Sequence, residues 1–360
     1  MTSDNMAGKV MTVLGPIDPE ELGITLMHEH LFADGGCYNT VPEEASLRSL
    51  VDRPVSFDML GSIGRLWNVV REHTQMYSYD EAVKEVTAFK LAGGRSLVEA
   101  TSIGIGRDPL TIARVSRATG LNVVMGGGYY VPASYPPELA EMTEDQVYDR
   151  LARDVTHGVG DTGVRSGIIG EVGVGGSMSQ MAGGEGELPE AKVLRAAARA
   201  QAATGAPMLI HPSPFRSSLA AVAETVLDAG ADASRVVFAH MDVQADVGVL
   251  EWLADMGFNV EYDAWGIEDS EIVDSVDPAI QLPNDMDRLG HLRRLIEAGH
   301  LERLVVTQDV FLRLQLASLG GKGYGHLLEN IVPRMRSQGF SESEIDTLLV
   351  GNPRRILTFA

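Results

Sequence analysis

The chain has 360 residues, 44% of them hydrophobic and 22% charged, with a formal net charge of −21. This is the composition of a globular protein with ample length for a large core. Its acidic balance excludes nucleic acid and anionic membrane as partners, since both demand a basic surface. A single cysteine, Cys37, rules out an internal disulfide framework and fits a reducing compartment. The opening from Met1 to Lys9 is polar, unlike a signal peptide, and no apolar run is long enough to cross a bilayer. A cytoplasmic protein acting on a small molecule is expected.

The first apolar run, residues 24–27, leads into His28-Glu29-His30-Leu31. Side chains on a strand alternate with a period of two, so both histidines are expected on one face, where they can chelate one ion. Residues 35–80 are long for a strand-to-helix connection and read as an ordered insertion over one end of the fold. Further short apolar runs follow at 96–100, 122–126, 167–171, 207–211, 235–240, 258–263 and 303–309. Helical patterns lie between several of them, at 108–119, 188–204, 217–229 and 287–298, and end in Ala-Gly or Thr-Gly stops. Eight short apolar runs alternating with helices predict parallel strands buried on both faces, closed into a (β/α)8 TIM barrel. One domain over 1–360 is expected. Gly126-Gly127-Gly128 precedes Tyr129-Tyr130 and reads as a strand-end loop, not a nucleotide cradle. Residues 173–186, rich in Gly, Ser and Met, read as a loop beside the site.

In such a barrel, residues at the C-terminal ends of the strands converge on one pocket. Those ends carry His28, His30, Glu171, His211, His240 and Asp309. One polar residue at a strand end is commonly a hydrogen-bonded core group. Six nitrogen and oxygen donors at one level point to metal, and they exceed what a single tetrahedral ion needs. Two divalent ions sharing a bridging carboxylate, a binuclear centre at the C-terminal face, account for all six.

Several segments resemble the phosphotriesterase-like proteins of the amidohydrolase superfamily. They are residues 23–31, 104–109, 125–130 and 168–173, with Asn330-Ile331-Val332-Pro333 and Asn352-Pro353 near the end. The resemblance implies that His28, His30 and Asp309 hold the more buried metal, and His211 and His240 the more exposed one. Glu171 stands where better-known members have a carboxylated lysine, as in the phosphotriesterase-related branch, and supplies the bridge. Zinc is the first expectation, with manganese, cobalt or iron as alternatives. The implied activity is metal-dependent hydrolysis of a carboxylic ester, lactone or amide, by a metal-bridging hydroxide whose proton Asp309 accepts. The alternatives are an organophosphate triester hydrolase and a non-catalytic ligand-binding protein of the same fold. The family tends to form homodimers. Tyr130, Arg107, Trp265 and Lys322 are the expected substrate contacts, with Tyr130 also orienting substrate beside the metals. Ala264 replaces the arginine of quorum-lactone hydrolases and the histidine of triesterases, which counts against both as the native activity.

Overall fold

The protein is described from a computed structural model covering residues 6–175, 189–213, 216–244, 246–268 and 282–360, with the backbone alone at 216 and 217. An antiparallel hairpin, β1 (Val10–Thr12) and β2 (Gly15–Ile17), precedes the barrel. Strand β3 (Thr25–Glu29) opens the barrel itself. Two-residue strands β4 (Ala33–Asp34) and β5 (Gln75–Met76) then pair antiparallel and strap down the base of the 35–80 stretch. The remaining strands are β6 (Ser96–Glu99), β7 (Asn122–Met125), β8 (Ile169–Gly173), β9 (Met208–His211), β10 (Val236–Phe238), β11 (Asn259–Tyr262) and β12 (Leu304–Val306).

Neighbours in the order β3-β6-β7 and β8-β9-β10-β11-β12 are parallel, and a bridge between Gly126 and Ile168 joins the two groups. The ring closes between β12 and β3, where the His28 amide bonds Thr307 Oγ1 at 3.1 Å and the Asp309 amide bonds the His28 carbonyl at 3.0 Å. All eight predicted strands and the (β/α)8 architecture are present. The four predicted helices form as Pro109–Thr119, Pro189–Thr204, Arg216–Asp228 and Asp285–Glu297. Local signals set their ends. Asp108 caps the Thr111 amide, Pro109 fits the first turn, and Gly120, at φ +67°, closes the same helix in the left-handed region. Helices Tyr79–Leu91, Glu144–Thr156 and Val247–Asp255 add to the outer ring, and helical segments Leu327–Ile331, Val332–Ser337 and Asn352–Leu357 follow the last strand.

Alternation sorts the strand residues into two cores. Met27, Val98, Val124, Leu209, Val237 and Val305 fill the barrel interior. Their neighbours Leu26, Leu97, Val123, Met208, Val236 and Leu304 face the helices. Residues 176–186 of the Gly-, Ser- and Met-rich stretch lie outside the described residues.

In two strands the alternation breaks. Leu26 pairs with Leu97 but Glu29 with Glu99, so β3 carries one extra residue over that interval. Strand β8 shifts likewise between Ile169 and Val172, and both of those residues pack on the helix side. A bulge of this kind turns the residue it contains toward the opposite face. His28 and Glu171 are the residues turned inward. Gly170 permits the second bulge, because a Cβ there would sit 2.3 Å from the Leu209 carbonyl oxygen.

Candidate metal centre

The six predicted donors meet at the C-terminal mouth of the barrel. His28, His30 and Asp309 form one set whose ligand atoms lie within 4.8 Å of one another, and Glu171, His211 and His240 form a second. Glu171 lies between them. Its Oε1 is 2.7 Å from His211 Nδ1 and 3.3 Å from His240 Nε2, while Oε2 is 3.6 Å from His28 Nε2 and 3.7 Å from His30 Nε2. One carboxylate therefore presents an oxygen to each set. Asp309 Oδ1 completes the deeper set, 3.2 Å from His30 Nε2 and 3.6 Å from His28 Nε2.

Backbone conformation aims two of these groups. His240 and Asp309, at φ +58° and +48°, are the described non-glycine residues in the left-handed region. That conformation is costly and persists where the surroundings enforce it. Around Asp309 the enforcement comes from Glu29, the residue between the two leading histidines. Its carboxylate accepts from the Gln308 and Val310 amides, each at 3.0 Å, and lies 2.9 Å from Thr307 Oγ1. Glu99 does the same for the turn after His30 by accepting from the Leu31 amide at 3.1 Å.

A polar group stands behind three of the imidazoles. His28 Nδ1 lies 2.9 Å from Glu261 Oε1, His30 Nδ1 2.9 Å from Thr101 Oγ1, and His240 Nδ1 2.9 Å from Asp263 Oδ2. Each contact turns the opposite nitrogen, Nε2, into the site. Asp263 also accepts from the His240 amide at 2.8 Å. Burial works to raise the Asp263 carboxyl, yet the charge and hydrogen bond of His240 hold it far below the usual range. Burial likewise works to raise Glu171, and His28 and His211 outweigh it and keep the carboxylate ionised. Glu29, Glu99, Thr101, Glu261 and Asp263 were not singled out from the sequence. The readable signal was a charged or hydroxyl residue inside an apolar strand, as in Val260-Glu261-Tyr262.

A cavity of about 500 Å³ opens above these groups. Tyr130 lines it, with its hydroxyl 3.4 Å from both ring nitrogens of His211. Tyr38, from the 35–80 stretch, donates to the Tyr130 oxygen at 2.9 Å, and its ring packs against Trp67 at 5.8 Å between centroids. Burial, with the Tyr38 and Glu171 charges, pushes the Tyr130 hydroxyl well above its ordinary range, so it keeps its proton. Ala264 lies on the cavity wall. Three expected substrate contacts lie elsewhere. Arg107 turns away and forms a buried ion pair with Asp154 at 2.8 Å, a carboxylate that also lies 3.6 Å from Arg150 Nε. Trp265 is buried with its indole nitrogen on the Tyr262 carbonyl at 3.2 Å. Trp265 and exposed Lys322 line an adjoining compartment of about 370 Å³.

The donor chemistry fits divalent metal. His28 Nε2 and Asp309 Oδ1 are buried with no hydrogen-bond partner among the described residues, although they face each other at 3.6 Å. Buried polar atoms are ordinarily paired. Imidazole nitrogens and carboxylate oxygens in two adjacent sets are ligands for zinc-class ions.

Fold and site together define a barrel with paired histidine–carboxylate sets at the C-terminal ends of its strands. The family model for the phosphotriesterase family matches residues 8–357, and the chain belongs to that family. It is 36% identical over 358 residues to the N-acetyltaurine hydrolase of Xenopus tropicalis and 35% identical over 357 residues to that of Homo sapiens, with 99% of both chains covered in each comparison. Among solved structures, a resiniferatoxin-binding protein from Rhodobacter sphaeroides superposes with a TM-score of 0.90 at 35% identity, covering 97% of this chain and 95% of that one. A phosphotriesterase homology protein from Escherichia coli, solved with phosphate in its active site, gives a TM-score of 0.74 at 27% identity, covering 95% and 100%.

Proposed function

We propose that the protein is a metal-dependent hydrolase that cleaves an amide bond in an acylated small molecule, with esters and lactones as related substrates. One observation carries this reading: Glu171 presents one oxygen to His211 and His240 and the other to His28 and His30. Amide cleavage, as the first choice, draws on the activity named for the full-length relatives. His28, His30 and Asp309 would hold one divalent ion, His211 and His240 a second, and Glu171 both, with zinc as the first expectation. When bound, such a pair supplies an activated water near neutral pH and polarises the bond under attack.

The chain's own groups supply the rest. Asp309 is placed to take the water's proton on a carboxylate oxygen and pass it to the departing nitrogen, so that the amine leaves neutral. Ala264 has no proton-carrying group to share that task. Tyr130, protonated and held by Tyr38, is placed to donate to the substrate carbonyl oxygen. Residues 35–80 belong to the same domain in this reading and roof the cavity through Tyr38 and Trp67.

The test is metal content together with turnover on a panel of N-acyl amines, lactones and aryl phosphotriesters. Bound metal and preferential release of amines support the reading. A protein that binds no metal and is inert on every compound sinks it, and preference for phosphotriesters moves it to the organophosphate alternative.

A further inference from the structure

The left-handed backbone of Asp309 has to be enforced by its surroundings. The Glu29 carboxylate does this from the barrel, through the amides of Gln308 and Val310. From the loop that follows comes a second hold, the side chain of Gln315. Its Oε1 accepts from the amides of Phe311 at 2.9 Å and Leu312 at 2.8 Å, and its Nε2 donates to the Asp309 carbonyl at 3.0 Å. Two converging amides can be met only by an oxygen, so the orientation of this carboxamide is fixed. Three backbone groups of the turn after β12 thus end on one side chain.

Gln315 is itself anchored away from the site. Its carbonyl accepts from the Gly323 amide at 2.7 Å, and Gly321 lies so close that a Cβ there would collide with the same oxygen. Arg313 forms a two-pronged pair with Glu81 at 3.0 and 3.2 Å, and the amides of Ala317 and Ser318 donate to Glu85, each at 2.9 Å. Glu81 and Glu85 belong to the helix Tyr79–Leu91, so the loop is tied to the outer ring on both sides of Gln315. Phe311 and Leu312 line the catalytic cavity, whereas Gln315 lines the adjoining compartment. It reaches the reacting groups only through the backbone it holds.

We propose that Gln315 is a positioning residue: through the Asp309 carbonyl it fixes the Asp309 carboxylate against the deep ligand set, and through two amides it fixes the cavity wall at Phe311 and Leu312. Its effect on turnover rests on the hydrolase reading, and its hold on the backbone does not. Released at its carbonyl, a left-handed aspartate relaxes toward the ordinary regions. A shift of about 1 Å at a reacting group costs on the order of a hundredfold in rate.

Two variants separate the arms, tested in the metal-loaded protein with its best substrate among N-acyl amines, lactones and aryl phosphotriesters. Gln315→Glu, as a carboxylate, keeps an oxygen for the two amides and removes the donor to Asp309. It is expected to lower kcat about tenfold to a hundredfold with KM within about threefold of wild type. Gln315→Met, of similar length, removes both arms and is expected to lower kcat and raise KM together. If only one variant folds, its kcat decides. A kcat within about twofold of wild type overturns the proposal, even where thermal melting shows lost stability, since that is a purely structural role. If the wild type is inert on all three classes, the hydrolase reading fails by itself, and a crystal structure of the folded variant without metal decides. Asp309 displaced from the left-handed region sustains the hold by Gln315, and Asp309 unmoved overturns it.

Discussion

The two halves of the candidate metal centre differ in depth. Side chains of His28, His30 and Asp309 are 0%, 6% and 11% exposed, whereas those of His211 and His240 are 23% and 18% exposed. The deep half is held from behind by Glu261, Thr101 and Glu29, all buried. The shallow half opens to the cavity and to Tyr130. Rigidity is concentrated where the ions would be fixed, and access where the substrate arrives. Glu171 spans both.

The largest effect is expected from breaking that span. Glu171→Gln removes the shared charge and is expected to lower kcat by about a thousandfold or more, with loss of metal in elemental analysis and an unchanged circular dichroism spectrum. Full turnover in this variant removes Glu171 from the bridge. Asp309→Asn tests the deep half alone. It is expected to abolish turnover while the protein stays soluble, and retained activity ends its role as proton carrier.

A third comparison concerns the loop after β11. Arg288 is fully buried, with Nε 3.0 Å from Asp242 Oδ2 and Nη1 3.1 Å from Asp285 Oδ1. Those two carboxylates accept from the amides of Ala264, on the cavity wall, and Gly266, on the wall of the adjoining compartment. Arg288→Met strands Asp242, while Asp285 keeps His326 Nε2 at 3.3 Å, and is expected to cost about 3–5 kcal/mol in urea unfolding. A loss below about 1 kcal/mol would show that the loop is held by other contacts.

Smaller effects sharpen the contrast between halves. Asp263→Asn, behind His240, is expected to weaken metal binding about tenfold to a hundredfold. Thr101→Val, behind His30, replaces a neutral partner and is expected to do less in the same chelator titration. Equal losses would mean that backing charge is irrelevant here. Titration with a chelator is expected to remove metal in two steps, the faster step being the one that His211→Ala eliminates.

The smallest effect lies far from the site. Glu344 is held at about 2 by its hydrogen bonds to Arg293 and the Ser341 amide. A carboxyl depressed in the folded state adds stability above its unfolded value, near about 4.3, and loses it as the pH falls toward about 2. This partly exposed pair is expected to contribute under about 1 kcal/mol. The melting-temperature gap between wild type and Glu344→Gln should therefore narrow as the pH falls from about 5 and close only below about 2.

The barrel was legible because its strands are short apolar runs and its helices carry ordinary stops, as at Thr119-Gly120. The six donors were legible because each terminates such a run. The route by which they converge was not. His28 and His30 do share a face, but regular alternation from inward-facing Met27 would turn that face toward the helices, and the extra residue in β3 turns it inward. Glu171 and His240 likewise depend on a bulge and a left-handed residue, which a residue count cannot foresee. The backing groups were missed because a lone Glu or Thr inside a strand reads as an interruption until its partner across the barrel is placed. Arg107 misled for the converse reason. A cation beside a strand end suggested substrate, but Asp154, distant in sequence, had already claimed it.

The Tyr38–Tyr130 contact makes the roof of the cavity and its reacting end one connected object. A substrate oxygen that draws on the Tyr130 hydroxyl changes the surroundings of Tyr38, and Trp67 packs on the ring of Tyr38. If substrate engages Tyr130 as proposed, occupancy reaches an indole, and a change in Trp67 fluorescence on adding substrate is the expected optical sign that the site is filled.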